Sequence, residues 1–523
     1  MDFLSLAFVL FVGIALILYY VLPGRYQRLI LLLSNLVFYL ICGKWNLIFI
    51  VLTSATVWFG AFILDRISDR YKEARKAPEL SKEDKKKIKN RYQNYKRLVL
   101  WTVLLFNFGI LAYMKYLRVL AGFKGGLLLP LGISFYTFMA TGYLIDIYGN
   151  KYASERNFFR FLLFISFFPQ LVQGPINRYD QMAPQFNEVH KIDADRMKRG
   201  VLLILYGLMK KYAIANMLSG SIESVLGGQI NTMPGSLIVF AILMYSAEQY
   251  ADFSGGIDIV MGVALLFDIR MMPNFRQPYF STSLGDFWRR WHISLGAWMR
   301  DYVFYPFALL KPIQNFGKWC TSKFNKHLGR VLPAGIANIL VFFLVGLWHG
   351  AAAHYIWWGL YNGFVIAISD ILEPFFKGLS KKMHLTEDSN GMRIFRIIRT
   401  FIIVNIGWYF DRIDDLGRCL SCLGRSVTAF GPSMFVPSFK LVLLNSNEGS
   451  PIYAAGGMCL AFLGCVIVFI VSFLKEKGID VACNVSAIMR KSGFGFAVVA
   501  LAMLVLISFV FMSSAGGFLY ANF

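Results

Sequence analysis

The sequence predicts an all-α protein, a polytopic transmembrane helical bundle of about 11–13 spans or half-spans. The chain has 523 residues, of which 57% are hydrophobic and only 16% are charged, and its mean hydropathy is +0.54. A soluble domain is about a quarter charged. Apolar runs long enough for a membrane helix recur from one end of the chain to the other, so we predict a single transmembrane domain over residues 1–523.

The predicted spans and half-spans follow one another along the chain. They cover residues 4–22, 29–41, 47–64, 98–117, 128–148, 158–172, 201–218, 237–250, 257–269, 336–347, 356–371, 401–410, 454–474 and 494–512. Several are short or interrupted by glycine and proline. We expect such pieces to be re-entrant or half helices, because irregular backbone at membrane depth is tolerated only where protein or a wet cavity satisfies its polar groups.

Basic residues are concentrated in residues 65–97, which we predict to be a cytoplasmic loop. This segment holds thirteen Lys or Arg against six Asp or Glu, in a chain with a formal net charge of +23. An excess of this kind follows the positive-inside rule, and no nucleic-acid-binding motif accompanies it. Three spans precede the segment, and Arg25 and Arg28 lie between the first two. The N-terminus is therefore predicted outside, and no nucleic-acid partner is expected.

The seven cysteines predict neither a disulfide framework nor a metal site. Cys42, Cys459 and Cys465 lie in apolar runs, while Cys419 and Cys422 form one CxxC pair. A single pair without a second pair of ligands is a weak zinc signal. We favour packing over zinc for this pair and expect no metal.

His349 is the first candidate for catalysis. It follows Trp348, which is expected to line the same site, in the strongly apolar segment 340–364. An ionisable side chain in such a segment is costly and marks a candidate functional site, and an imidazole can accept a hydroxyl proton near neutral pH. A buried structural histidine is an equal alternative. His354 lies five residues further on, a spacing that does not suit a helical metal site.

Residues 278–306 are predicted to form an interfacial amphipathic segment. Ser283 and Asp286 have the spacing of a capping box, and one helix with an aromatic face is predicted to follow. Its opposite face consists of Arg289, His292, Gly296 and Arg300. The segment is either a plain interfacial anchor or the cytoplasmic mouth of a pore, where His292 and the arginines face an anionic coenzyme or a phosphopantetheine-bearing carrier protein.

Two further features place polar side chains in apolar surroundings. The broken segments 167–178 and 248–258 supply candidates for the lining of a hydrated channel, namely Gln170, Gln173, Asp252 and Ser254. The polarity of loop ends explains some of these residues. In the C-terminal aromatic tail, residues 513–523, Tyr520 is either a nucleophile that accepts an acyl group or an aromatic belt residue. Position alone favours the belt residue.

These stretches together resemble the bacterial branch of the membrane-bound O-acyltransferase (MBOAT) family, the group that contains alginate O-acetylase and teichoic acid D-alanyltransferase. The matching motifs are LPLGISFYTF at 129–138, FFPQLVQGPINR at 167–178, YADFSGGIDI at 250–259, the block at 273–306, GLWHG at 346–350 and NIGWYFDR at 405–412. The tryptophan-rich block around 288–298 and the Trp348-His349-Gly350 triplet are the most specific of them.

The resemblance implies that His349 is the catalytic histidine and that His292 is a second functional histidine on a cytoplasmic re-entrant or interfacial helix. It implies a funnel-like core in which donor and acceptor approach from opposite faces. It also raises the expectation that Tyr520 carries the acyl group.

The implied reaction is O-acylation, with acetyl favoured, from a cytoplasmic thioester such as acetyl-CoA or an acyl carrier protein. The acceptor would be an extracellular polysaccharide or cell-wall polymer. We expect a bacterial plasma membrane protein with no tightly bound cofactor and with an extracytoplasmic hydrolase-like acyltransferase partner. Two alternatives stay open: D-alanyl transfer to teichoic acids from a carrier protein, and a transporter or channel, which also explains broken helices and buried polar groups.

Overall fold

The structure is a computed structural model that describes residues 4–76, 81–117, 130–228, 232–350, 352–384, 386, 389–446, 451–479, 481 and 493–511. These residues are helical almost throughout. Strand-like pairing within them is limited to one isolated antiparallel bridge between Phe275 and Trp291. The all-α prediction is therefore confirmed.

The chain divides into two compact units. Unit 1 consists of Met1–Met197 and Val263–Met272, and unit 2 of Lys198–Gly262 and Pro273–Phe523. The helices of unit 1 are α1 (Leu6–Val21), α2 (Gln27–Gly43), α3 (Leu47–Ala74), α4 (Lys82–Ala112), α5 (Ile133–Tyr148), α6 (Phe158–Ser166), α7 (Phe168–Gln173) and α8 (Tyr179–Met182). Helix α9 (Ala194–Met209) begins in unit 1 and continues into unit 2, and α11 (Gly235–Leu266) ends in unit 1.

The remaining helices belong to unit 2. They are α10 (Asn216–Leu226), α12 (Leu284–Arg290), α13 (Ile293–Met299), α14 (Tyr305–Ala308), α15 (Lys311–Lys323), α16 (Lys326–His349), α17 (Ala353–Lys382), α18 (Asn390–Arg412), α19 (Leu416–Thr428), α20 (Phe435–Ser446), α21 (Pro451–Glu476) and α22 (Gly493–Phe511). Two π-helical turns interrupt this unit, Lys210–Ala215 after α9 and Arg300–Phe304 after α13.

Six segments of the described chain are long and apolar enough to cross a membrane. They are Gly24–Ala74, Lys82–Tyr116, Ala194–Leu226, Lys326–His349, Tyr453–Glu476 and Phe494–Phe511, and Leu6–Val21 is a shorter apolar helix. The predicted span 158–172 is divided at Phe167 into α6 and α7. The chain is thus a multi-pass helical bundle that contains both full spans and shorter pieces.

The described residues of the basic segment 65–97 are largely helical. Its first part extends α3 to Ala74, and its last part forms the beginning of α4. Ser81 caps α4, because its hydroxyl accepts a hydrogen bond from the backbone N–H of Asp84 at 3.1 Å. Most side chains in these helix ends are exposed, as expected for charged residues outside a hydrophobic core.

Candidate active site

His349 is the last residue of α16 and lies at the tip of the antiparallel hairpin that α16 forms with α17. Glycines allow the two helices to pack closely: a Cβ atom on Gly363 would lie 2.8 Å from the Cα atom of Ile339, and one on Gly346 would clash with the carbonyl oxygen of Tyr355. Close contact through small residues is typical of helix pairs in membranes. The hairpin therefore holds the His349 backbone rigidly.

Aromatic rings surround the buried imidazole of His349. The ring stacks on Tyr355 with centroids 5.8 Å apart, and Trp348 and Trp358 each approach it edge-on with centroids at 5.0 Å. Edge-on and stacked arrangements of this kind stabilise a fixed ring orientation. The histidine is therefore held in place by packing.

The segment that carries His292 differs from the sequence prediction. Ser283 caps α12 as the spacing indicated, with the backbone N–H of Asp286 donating to its hydroxyl at 3.1 Å. The helix ends at Arg290, however, and a second helix, α13, begins at Ile293. The prediction of one continuous helix with Arg289, His292, Gly296 and Arg300 on a single face is therefore wrong.

Backbone pairing explains the break. The N–H of Arg276 donates to the carbonyl of Arg290 at 2.9 Å, and the N–H of Ile293 donates to the carbonyl of Asn274 at 3.0 Å. These hydrogen bonds replace the helical ones at this point. They leave His292 in the left-handed region with φ 49°, a conformation that is uncommon for a residue other than glycine and that recurs at functional sites.

His292 is buried, and its environment keeps it uncharged. Its Nδ1 atom lies 3.2 Å from the side-chain oxygen of Asn274. The ring also packs edge-on against Phe253 with centroids 4.8 Å apart, and against Trp348 at 5.9 Å. Burial lowers the pKa of His292 to about 3. The imidazole is therefore neutral at physiological pH.

One cavity of about 870 Å³ within unit 2 brings the two histidines together. Its polar lining includes Arg276, Ser283, Arg289, His292, Arg300, Asn338, His349, Ser369 and Asp370, and its apolar lining includes Trp288, Trp291, Phe342, Val345 and Trp358. The volume is in the range of small-molecule sites, which are largely apolar with a few convergent polar groups.

The predicted arginines lie on the walls of the same cavity. The side chain of Arg289 is 72% exposed and lies 3.7 Å from Asp286, and that of Arg300 is 58% exposed and pairs with Asp301 at 2.9 Å. Since exposed side chains and buried imidazoles line one space, the cavity reaches His349 from the surface of unit 2. Three arginines against one lining carboxylate, that of Asp370, make its walls basic.

Comparison with known proteins identifies the fold family. The profile of MBOAT, the membrane-bound O-acyltransferase family, matches residues 37–318. The chain belongs to this family. The resemblance inferred from the motifs is thereby confirmed, and the protein is a multi-pass membrane O-acyltransferase.

Several named proteins are similar to this MBOAT chain. A probable alginate O-acetylase of Pseudomonas syringae pv. tomato is 33% identical over 429 residues, which cover 78% of this chain and 71% of the relative. A peptidoglycan O-acetyltransferase of Helicobacter pylori is 26% identical over 554 positions, which cover 98% of this chain and 94% of the relative. A teichoic acid D-alanyltransferase of Bacillus subtilis is 30% identical over 282 residues, which cover 53% of this chain and 67% of the relative.

Trp348 lies next to both histidines of the O-acyltransferase. It is not among the residues that line the cavity, and it packs instead against the rings of both His292 and His349. His354, which the sequence spacing excluded as a metal partner of His349, does not line this cavity either. Its Nδ1 atom lies 3.9 Å from a carboxylate oxygen of Asp414.

Asp252 and Ser254 lie on α11 and are engaged by two buried lysines. The ammonium of Lys211 lies 2.5 Å from the Asp252 carboxylate, and Lys210 donates to the Ser254 hydroxyl at 2.7 Å. Lys210 also pairs with Asp258 at 2.5 Å. Both lysines are buried in the π-helical turn after α9. The structure thus gives the two predicted channel residues roles in a buried ionic cluster.

The sequence analysis missed these two lysines. The available signal was a pair of adjacent charges inside the predicted span 201–218, a costly arrangement that implies partners elsewhere in the bundle. Their partners lie 41 and 44 residues further along the chain. No local pattern connects residues at that separation.

Gln170 and Gln173 belong to unit 1, where they follow the break between α6 and α7. The Gln170 amide donates to the carbonyl of Phe164 at 2.5 Å and accepts from the side chain of Asn177 at 2.8 Å. Gln170 therefore satisfies backbone groups that the kink exposes. The side-chain amide of Gln173 is buried and has no hydrogen-bond partner in the part of the chain that the structure describes.

The CxxC pair predicted to be a packing feature lies in α19. Cys419 and Cys422 are free and buried, and burial raises the pKa of Cys419 to about 12, so its thiol stays protonated. Within the described ranges no cluster of three or more His, Cys, Asp or Glu side chains is placed to hold a metal ion. Tyr520 and the tail 513–523 lie outside the described residues.

Proposed function

We propose that this O-acyltransferase moves an acetyl group from a cytoplasmic thioester, acetyl-CoA or an acyl carrier protein, to a hydroxyl of an extracellular polysaccharide or cell-wall polymer. One observation carries the proposal: two histidines that are distant in the sequence, His349 and His292, line one cavity whose walls also carry Arg289 and Arg300. A basic approach to two imidazoles suits a thioester donor whose coenzyme or carrier arm is anionic.

In the proposed reaction His349 is the general base. Its imidazole accepts the proton of the acceptor hydroxyl as the hydroxyl oxygen attacks the thioester carbonyl carbon. A carbon–oxygen bond forms, the carbon–sulfur bond breaks, and the departing thiolate receives the proton from the imidazolium. The products are an ester and a free thiol, so the histidine returns to its starting state.

The acetyl group is the proposed acyl group because of the pattern of similarity. Relatives named alginate O-acetylase match 78% of the chain at 31–33% identity, and the relative named peptidoglycan O-acetyltransferase matches 98% of it. The relatives named teichoic acid D-alanyltransferase match 52–53%. D-alanyl transfer from a carrier protein is the second candidate, which a neighbouring gene pair for a D-alanine ligase and its carrier would favour.

Three further features belong to the proposal. Tyr520 is the expected transient acyl acceptor, from which the group passes to an extracytoplasmic hydrolase-like partner and then to the polymer. The basic segment 65–97 faces the cytoplasm of a bacterial cell, and the N-terminus lies outside. The family match favours this enzymatic function over a transporter or channel.

Mass spectrometry tests the acyl group and the carrier residue together. The purified chain, incubated with isotope-labelled acetyl-CoA, is expected to gain one labelled acetyl group in the peptide that contains Tyr520, and Tyr520→Phe is expected to gain none. Label on the tail peptide of the Tyr520→Phe variant would rule out this residue as the carrier. Labelling by D-alanyl carrier protein in place of acetyl-CoA would establish the second candidate.

Substitution of the proposed base tests the chemistry. In cells whose own copy is deleted, His349→Ala is expected to abolish ester-linked acyl groups on envelope polymers, although the protein inserts and folds. His384→Ala is the matched control, since His384 is exposed and should support normal acylation. Normal polymer acylation by His349→Ala would reject the assignment.

A further inference from the structure

Asn274 is the polar residue that packs against the proposed second histidine. Its side-chain oxygen lies 3.1 Å from the backbone nitrogen of Ser294, 2.9 Å from the Ser294 hydroxyl and 3.2 Å from Nδ1 of His292. Asn274 itself is buried, with 1% of its surface exposed. Three groups thus converge on one oxygen atom where the chain turns from α12 into α13.

The backbone N–H of Ser294 determines which atom of the Asn274 amide faces it. A backbone N–H can only donate, so the atom it meets must be the amide oxygen and not the nitrogen. An amide oxygen can only accept, and the contact with His292 therefore requires hydrogen on Nδ1. Histidine tautomers are set in this way by the hydrogen bond that one ring nitrogen makes.

The other ring nitrogen of His292 consequently carries the lone pair. Nε2 is buried and has no hydrogen-bond partner among the residues that the structure describes. Leaving a buried acceptor unsatisfied is unfavourable, and a group of this kind in a native structure calls for an explanation such as a catalytic role. His292 is among the residues that line the cavity that also contains His349, so a group bound in that cavity is the candidate partner.

We propose that Asn274 is a positioning residue of the acyl-transfer site, which holds His292 in the Nδ1–H tautomer so that Nε2 accepts a hydrogen bond from an N–H, S–H or O–H group of the bound substrates. This inference rests on the proposed function, because it takes the cavity to be the place of acyl transfer. It assigns His292 an accepting role, which excludes it as a donor to the developing oxyanion. Another group must therefore donate the hydrogen bond to the developing oxyanion.

The charged groups around His292 do not alter this assignment. Those that share its cavity are Arg276 beside Asn274, Arg289 on α12, Arg300 after α13 and Asp370 on α17, together with the titratable His349 on α16. The low pKa of His292 arises from burial. A carboxylate placed at position 274 would raise that pKa, since an opposite charge within hydrogen-bond distance favours the imidazolium, by about one to three pH units.

Nuclear magnetic resonance of the histidine rings tests the tautomer without any substrate. The full chain is prepared with ¹³C- and ¹⁵N-labelled histidine in lipid bilayers, and His292→Gln assigns the signal among the six histidines. We expect a neutral Nδ1–H ring from pH 8 to pH 5 in the natural protein, and loss of that single tautomer in Asn274→Ala. A hydrogen on Nε2 in the natural protein would overturn the proposal.

Asn274→Asp separates positioning from simple packing. The carboxylate keeps the acceptor oxygen, so the Nδ1–H signature is retained at high pH, but His292 should become protonated at a pH at least about one unit higher than in the natural protein. Ser294→Ala is the matched control, because it removes one donor to the Asn274 oxygen and leaves the contact with His292. It should change neither the tautomer nor the titration. An unshifted titration in Asn274→Asp would count against direct contact.

Acylation in cells completes the test and separates two kinds of failure. Asn274→Ala is expected to lower envelope ester content at least tenfold. Cells with Asn274→Asp are expected to have normal ester content in neutral medium and a low ester content in acidic medium. If His292→Ala retains full acylation, the proposed role of His292 fails. If His292→Ala is inactive while Asn274→Ala is fully active, the positioning role alone is overturned.

Discussion

Gly346 provides a direct test of the idea that the hairpin of α16 and α17 positions the proposed base. In Gly346→Ala the new Cβ atom would clash with the carbonyl oxygen of Tyr355, and it would lie 3.1 Å from the carbonyl carbon of Tyr355 and 3.3 Å from the Cα atom of Ile356. All three are backbone atoms, which cannot rotate away. The two helices must separate by roughly half an ångström or more.

The expected magnitudes follow from this geometry. Overpacking costs about 1–3 kcal/mol, while replacing a helical glycine by alanine returns about 1 kcal/mol of helix propensity. The net loss of stability is therefore small, about 0–2 kcal/mol. His349 lies one turn beyond Gly346, and a displacement of about 1 Å at a reacting group can lower a rate about a hundredfold. We expect acylation to fall at least tenfold.

Gly378→Ala is the matched control for this prediction. Gly378 lies in the same hairpin, on α17, and a Cβ atom there would meet no atom within 4 Å. This variant should gain up to about 1 kcal/mol of stability and acylate normally. Thermal unfolding in detergent measures stability, and base-labile envelope esters measure activity. Equal activity of Gly346→Ala and Gly378→Ala would refute the proposed positioning by the hairpin.

Three other sets of substitutions are informative. Lys211→Met should destabilise the protein by about 3–5 kcal/mol, since it breaks a buried ion pair. Adding Asp252→Asn should recover part of this loss of stability. If the effects of the two substitutions on stability were purely additive, the pairing would be contradicted. Ser283→Ala should lower stability by about 1 kcal/mol through loss of the α12 cap, and no change in thermal unfolding would argue against that cap. Arg289→Gln combined with Arg300→Gln should raise the KM for acetyl-CoA more than it lowers kcat. The double variant should also weaken the salt dependence of KM. An unchanged KM would exclude these arginines from donor binding.

The fold class was predictable from the sequence because membrane spans are defined by length and hydropathy. The run 4–22 was visible before the structure, and the structure places a helix there. The break at His292 was not predictable, since it depends on hydrogen bonds with residues 274–276. Helical periodicity continues through this point, so the local pattern indicated one helix where tertiary pairing produces two.

The candidate site was also partly predictable from the sequence. His349 and His292 were prominent because each is an ionisable group in apolar or aromatic surroundings, and the structure places both on the cavity. Asn274 gave no such signal. An asparagine before a turn is common, and its relation to His292 depends on the side-chain contact and on the backbone of Ser294. Residues that act through a neighbour are the ones that composition and spacing miss.

The ionic cluster of Lys210 and Lys211 has a consequence for how the protein is made. These lysines are synthesised well before Asp252, which follows Lys211 by 41 residues. A helix with two uncompensated ammonium groups enters lipid poorly. We therefore expect the span Ala194–Leu226, which contains both lysines, to remain at the translocation channel until α11 emerges, so that this span and α11 enter the bilayer together with their charges paired.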